Sequence, residues 1–239
     1  MTETAFETIA SPQEIIPGTA MCPIPITVND RAATREAIIR KANELGHQFV
    51  TRSEWHALKG KDNMVNDWDY TMIALHHAGR SFECGSGAEQ MLEIQDEHMD
   101  HRYDDIGYHY GVDCSGVIYE GRDIRLKGSS VRNYNTNVIG IVLLSNYTTA
   151  GEGDDIVSFG RQILEGVGYN TSQRIPPLQV DAVLNLIKAL QSVFIIQHLG
   201  GHREYPKQLA EGKICPGDIG MEFVRVLRTT TQLFPPPIS

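Results

Sequence analysis

The sequence predicts an α/β fold: a central β-sheet flanked by helices, with a proline-rich extension at the N-terminus. Two continuous apolar runs, Met72–Leu75 and Val138–Leu144, have the composition of strands buried on both faces. Elsewhere the apolar period is helical, most clearly in the stripe Val180, Val183, Leu184, Ile187, Leu190 and Phe194. Strands interleaved with helices imply a sheet with helices packed on it. The 239 residues, 41% of them apolar, suffice for one large domain plus an extension.

In chain order, residues 1–30 contain Pro12, Pro17, Pro23 and Pro25 and read as an extended arm, packed on the domain or loosely ordered. Ala32–Leu45 reads as a short helix with Ile38, Ile39, Ala42 and Leu45 on one side and Gly46 as its stop. We divide the chain into an extension, 1–48, and a main domain, 49–239. A buried strand starts at Met72 and ends at His76–His77. Residues 87–102 follow as a helix with Ala88, Met91, Leu92 and Gln95 on one face. Residues 107–122 read as a β-hairpin turning at Asp113-Cys114-Ser115-Gly116. The glycine-rich stretch 147–176 reads as irregular, with one helical turn around Ile163. Pro176–Pro177 opens the helix that carries the Val180 stripe, where proline is tolerated. A short apolar run, Phe194–Ile196, precedes GGHRE, and a last helix covers Gly220–Arg228 before LFPPP.

Charge narrows the partners. Lysine and arginine number 21 against 30 acidic residues, a net charge of −9, with no basic cluster. Nucleic acid and anionic membrane surfaces are therefore not expected partners. No apolar run approaches the roughly 20 residues of a membrane helix. Four cysteines (Cys22, Cys84, Cys114, Cys215) with no C-x-x-C pair do not make a disulfide scaffold. Cys84 and Cys114 each lie in a loop and read equally as free thiols or as a bridge formed in an oxidising compartment. The opening MTETAFETIASPQEIIPG has no basic start and no apolar h-region. The expectation is synthesis in the cytoplasm and delivery by a route other than general export.

Three fragments carry chemistry: His76–His77 at a strand end, His202 in GGHRE, and Lys213-Ile214-Cys215-Pro216-Gly217. Imidazole nitrogen and thiolate are preferred zinc ligands, and three protein ligands leave a position for catalysis. Spacing alone leaves this open, because nine histidines make coincidence easy.

The fragments TRSEWHA, IALHHAG, DIGYHY, GVIYEGR, YNTNVIGIVLLSNYT, GGHRE and KICPGD occur in the order seen in the peptidoglycan-recognition-protein family. Over residues 50–230 the chain resembles that family and its zinc N-acetylmuramoyl-L-alanine amidases. The resemblance implies a mixed β-sheet with helices on both faces and one catalytic zinc at a groove floor. It implies His76, His202 and Cys215 as the metal ligands, and Tyr108 and Lys213 as catalytic residues facing the water and the developing oxyanion. It implies a hydrolase that cleaves the bond between N-acetylmuramic acid and L-alanine, with peptidoglycan or a muropeptide as partner. The delivery puzzle admits a phage lysin or an injected antibacterial effector, the latter with secretion machinery and an immunity protein as partners. The alternative is a recognition module that binds muropeptides without cleaving them. Two departures stand out: a long His202–Cys215 loop, with an insert at Tyr205–Glu211 expected on the groove rim, and Gly128-Ser129-Ser130 where the family often has G-A-H.

Other residues have plainer readings. His77 reads as structural, His98 as packed, His101 as solvated, and His109 as facing away from Tyr108. Trp55 and the Tyr119–Arg122 segment read as structural. Arg122 and Asn135 are the candidate substrate-binding residues, with a structural salt bridge the plainer reading of Arg122. Asp104–Asp105 and Asp154–Asp155 read as solvated turns. The acceptors that orient the imidazole rings are not identifiable from the sequence.

Overall fold

The computed structural model describes residues 6–9, 25–28, 30–80, 84–149, 151–152 and 174–237, with side chains from residue 33 onward. Near the N-terminus, β1 (Phe6–Ile9) and β2 (Pro25–Val28) pair antiparallel as a separate two-stranded sheet. Helix α1 (Asp30–Glu44) follows, and its Ile38 and Ala42 are buried in the main core.

The central sheet contains β3 (Phe49–Val50), β4 (Met72–His77), β5 (Tyr110–Val112), β6 (Ile118–Glu120), β7 (Val138–Leu143) and β8 (His198–Gly201). Their order is β3-β6-β5-β7-β4-β8. All neighbours are parallel except the β5–β6 hairpin, so the sheet is mixed, as the resemblance implied. β7 is buried along its whole length, which its unbroken run of aliphatic residues and glycine requires.

Alternation along the central strands assigns two layers. Ile73, Leu75, Ile139, Ile141 and Leu143 pack with α1, α3 (Pro177–Gln191) and α4 (Gly217–Thr231). On the opposite face Val142 and Leu144 meet Met91 and Ile94 of α2 (Gly87–Asp100), together with Trp55 and Tyr119. Each fully buried aliphatic side chain stabilises the fold by about 1.5–3 kcal/mol.

Several boundaries differ from expectation, each for a local reason. The Val180 stripe forms α3 from Pro177, but the helix ends at Gln191. Phe194 lies beyond it, edge-on to Trp68 and Tyr70. The last strand, His198–Gly201, follows the Phe194–Ile196 run and was not assigned from the sequence. Its Gly200 is needed, since a Cβ there would lie 2.3 Å from Pro236 Cγ. α4 starts earlier and ends later than Gly220–Arg228. Thr229, Thr230 and Thr231 extend the helix, each hydroxyl donating to the carbonyl four residues back. In α2 the buried face is Gly87, Met91, Ile94 and Gln95, with Ala88 and Leu92 half-buried.

Cys84, just before α2, and Cys114, in the hairpin turn, form a disulfide, which settles a pairing the sequence left open. The expected helical turn around Ile163 and the Asp154–Asp155 pair lie outside the described residues.

Candidate metal centre

The site forms where three chain segments meet. β4 and β8 are parallel neighbours, so their C-terminal ends lie side by side. β4 ends with His76, and a short 3₁₀ turn, His202–Glu204, follows β8. Cys215 approaches from the loop before α4. One ligand atom from each of His76, His202 and Cys215 lies within 4.8 Å of the others. The His76 and His202 ring centroids are 4.6 Å apart, and His76 Nδ1 is 3.6 Å from Cys215 Sγ.

The cysteine loop is tied down locally. The Arg203 N–H donates to the Cys215 carbonyl at 3.0 Å. The Arg203 guanidinium binds Glu152 at 2.9 Å and Asp218 at 2.6 Å. Glu152 also accepts the Asp218 N–H at 2.7 Å. Gly217 turns the chain with φ +82°, and a Cβ there would lie 2.2 Å from the Tyr147 carbonyl oxygen.

Burial sets the protonation states. It holds His76 well below the usual imidazole range, with His202 and His77 adding to the effect. It lowers His202 to about 4, opposed by the hydrogen bond to Gln208. It pushes the Cys215 thiol up to about 12, against the His77 N–H and the charges of Arg203 and Lys213. Among the described residues His76 Nε2 is buried without a hydrogen-bond partner. Two neutral imidazoles, one orphaned nitrogen and a thiol form a donor set that suits zinc.

The predicted companions fall differently. The half-buried Tyr108 ring lies 4.8 Å from the His76 ring, and burial raises its hydroxyl pKa. Exposed Lys213 and half-buried His202 share the wall of a cavity of about 470 Å³ with Tyr103, Ser129, Arg132 and Asn135. Asn135 thus borders the cavity, while its Oδ1 accepts the Ser130 and Val131 N–H groups at 2.8 and 2.7 Å. Arg122 is corrected as a substrate-binding residue. It is buried and donates to the carbonyls of Ile106, Lys127 and Asp105 at 2.8, 2.7 and 3.0 Å, so its guanidinium is committed inside the protein. Those partners are carbonyls, not the expected salt bridge. Asp105 is also corrected: it is buried, accepting from Gln95 at 2.5 Å and pairing with Arg52 at 3.1 Å.

Three further histidines act as backbone acceptors. Nδ1 accepts an N–H in each: His77 from Tyr147 at 3.0 Å, His98 from Gly107 at 2.9 Å and His109 from Gly140 at 3.1 Å. His101 is exposed. Sequence reasoning missed Arg203, Glu152 and Gln208. The arginine sits inside the GGHRE fragment and was the one detectable signal; the other two are revealed only by tertiary contact. The 205–211 insert is anchored inward, with the Tyr205 hydroxyl donating to the Ile73 carbonyl at 2.9 Å and Gln208 fully buried.

A family model described as N-acetylmuramoyl-L-alanine amidase matches residues 66–218, and the chain belongs to this family. Peptidoglycan-recognition protein SC2 of Drosophila melanogaster is 34% identical over 111 residues, 44% of this chain and 59% of that protein. The chain thus spans little more than half the length of that relative. Among solved structures, the endolysin N-acetylmuramoyl-L-alanine amidase LysCS from Clostridium intestinale matches with a TM-score of 0.57 at 18% identity, covering 78% of this chain and 97% of that one. Drosophila PGRP-LB in complex with tracheal cytotoxin matches with a TM-score of 0.56 at 23% identity, covering 78% and 96%. At these identities the structural likeness is one of fold.

Proposed function

We propose that the chain is a zinc-dependent amidase that hydrolyses the amide between N-acetylmuramic acid and L-alanine in peptidoglycan. The observation that carries this reading is the convergence of His76, His202 and Cys215 within 4.8 Å beside a cavity large enough for part of a muropeptide. Family membership supports the reaction class. The complex of PGRP-LB with tracheal cytotoxin supports a muropeptide as the ligand.

The three side chains would hold one zinc ion. Zinc with three protein ligands supplies a Lewis acid that activates water near neutral pH and polarises a carbonyl. The chain's own residues do the rest. Cys215 would hold the ion as a thiolate, its proton released to solvent, and burial already favours both imidazoles neutral. Tyr108, protonated at neutral pH and beside His76, offers a hydroxyl to orient the nucleophile and pass a proton. Lys213 brings a positive charge to the cavity wall for the oxyanion that develops on the scissile carbonyl.

Such a substrate sets the place of action at a bacterial wall. The Cys84–Cys114 bridge supports an oxidising location, since bridges persist there and are rare in reducing cytosol. Release as a phage lysin and injection as an antibacterial effector are the routes we propose. An effector would be encoded beside an immunity protein and would need a secretion machine.

Digestion of purified sacculi, with products resolved by mass, tests the reading. The expected products are stem peptides with a free L-alanine amine and glycan strands with free lactyl carboxylates. Both should vanish with chelator and return with zinc. Binding of muropeptides with no new termini would instead assign the chain as a recognition module.

A further inference from the structure

Gln208, in the inserted loop, lies against the metal centre rather than in solvent. It is fully buried, and its Oε1 is 3.1 Å from His202 Nε2. At the other end of the amide, Nε2 donates to the carbonyls of Arg132 at 3.0 Å and Pro206 at 3.2 Å. Those two carbonyls decide which way the amide points. The flipped amide would set its oxygen against two carbonyl oxygens and leave both carbonyls without their donor, a costly arrangement in a buried site. With Oε1 fixed toward His202, the imidazole must present an N–H at Nε2. A neutral ring with Nε2–H keeps its lone pair on Nδ1.

We infer that Gln208 is a positioning residue for the metal centre, locking His202 in the Nε2–H tautomer so that Nδ1 is the ligand atom. The inference rests on the zinc reading of the site and adds to it how one ligand is oriented. The lock is built from the insert itself. The Gln208 carbonyl accepts the Lys213 N–H at 3.1 Å, so the same residue braces the chain that leads to Lys213 and Cys215. Glu211 pairs with Arg132 at 3.6 Å and closes the loop over the strand-connecting segment that supplies the Arg132 carbonyl. The long loop therefore supplies an acceptor of the kind that metal-bound histidines use to fix ring orientation and raise ligand basicity.

The test uses the full chain and two readouts. Long-range ¹⁵N–¹H NMR of the metal-free protein should show His202 as the Nε2–H tautomer, with the Nε2 proton slow to exchange. In Gln208→Met, which keeps volume but removes the acceptor, that proton should lose its protection. Zinc affinity, measured by chelator competition, should weaken about 10-fold or more in Gln208→Met, as for other acceptors that hold metal-bound histidines. A His202 Nδ1–H tautomer in wild type, or Gln208→Met binding zinc as tightly as wild type, overturns the inference. Wild-type protein that binds no zinc would instead refute the zinc reading. The tautomer of His202 would still decide whether Gln208 sets the ring. If Gln208→Met does not fold, the wild-type tautomer and the exchange protection of its Nε2 proton carry the decision, and an Nδ1–H tautomer or an unprotected Nε2 proton overturns the inference.

Discussion

His76 and His77 are chemically identical neighbours in β4, and strand alternation gives them different work. His76 faces His202 and Cys215, whereas His77 accepts the Tyr147 N–H on the opposite face. Cys215→Ser and His202→Ala should each lose zinc and amidase activity together, read as metal content and product yield. Lys213→Ala should keep its zinc and lose about 10²-fold in kcat, as when other oxyanion donors are removed. Unchanged kcat would take Lys213 out of the mechanism. Arg122→Met should unfold more readily by about 3 kcal/mol, because buried carbonyls lose their donor. Denaturant unfolding checks it, and a change below about 0.5 kcal/mol would contradict a structural role. The proposed ligands were legible because each sits in a short fragment with a recognisable neighbour, such as GHR or CPG. Arg122 was less legible, since a guanidinium reads the same in sequence whether it meets a substrate carboxylate or three carbonyls.

At the scale of elements, the sheet and its helices were legible because their apolar periods are strong. Met72–Leu75, Val138–Leu144 and the Val180 stripe up to Leu190 became the elements they predicted. The last strand was not, because β8 is His-Leu-Gly-Gly, with little apolar signal. It is a strand through pairing with β4 and close approach to Pro236, which are tertiary effects. The turn between Cys215 and α4 is set by the backbone of one residue. Gly217→Ala must force a Cβ into the Tyr147 carbonyl at positive φ. The expected result is a loss of stability of about 1–3 kcal/mol together with weakened zinc binding. Wild-type zinc affinity in that variant would show that the loop adjusts without moving Cys215.

For the whole molecule, charge excluded nucleic acid as an expected partner and periodicity gave the layers, while the contacts that hold the site together came only from the fold. The Cys84–Cys114 bridge, which the sequence left open, ties the segment before α2 to the hairpin turn. Its reduction should lower stability by about 3 kcal/mol, given the 30-residue separation it closes. A melting midpoint unchanged by reductant would contradict this. The buried histidines set another global property. Burial lowers His98 and His109 from 6.5 to about 4, and each uses Nδ1 as an acceptor that protonation would abolish. Between those values the unfolded chain binds more protons than the folded one, so stability is full above about pH 6.5 and falls as pH drops toward 4. The metal-free protein should therefore melt at progressively lower temperature across that range, and a flat profile would contradict the neutral assignments. The central claim, that two imidazoles and a thiolate grip a single ion, is tested most directly by native mass spectrometry of purified protein. One zinc per chain in wild type and none in Cys215→Ser is the predicted result. A metal-free wild type after incubation with zinc, or a Cys215→Ser variant that retains the ion, would contradict it.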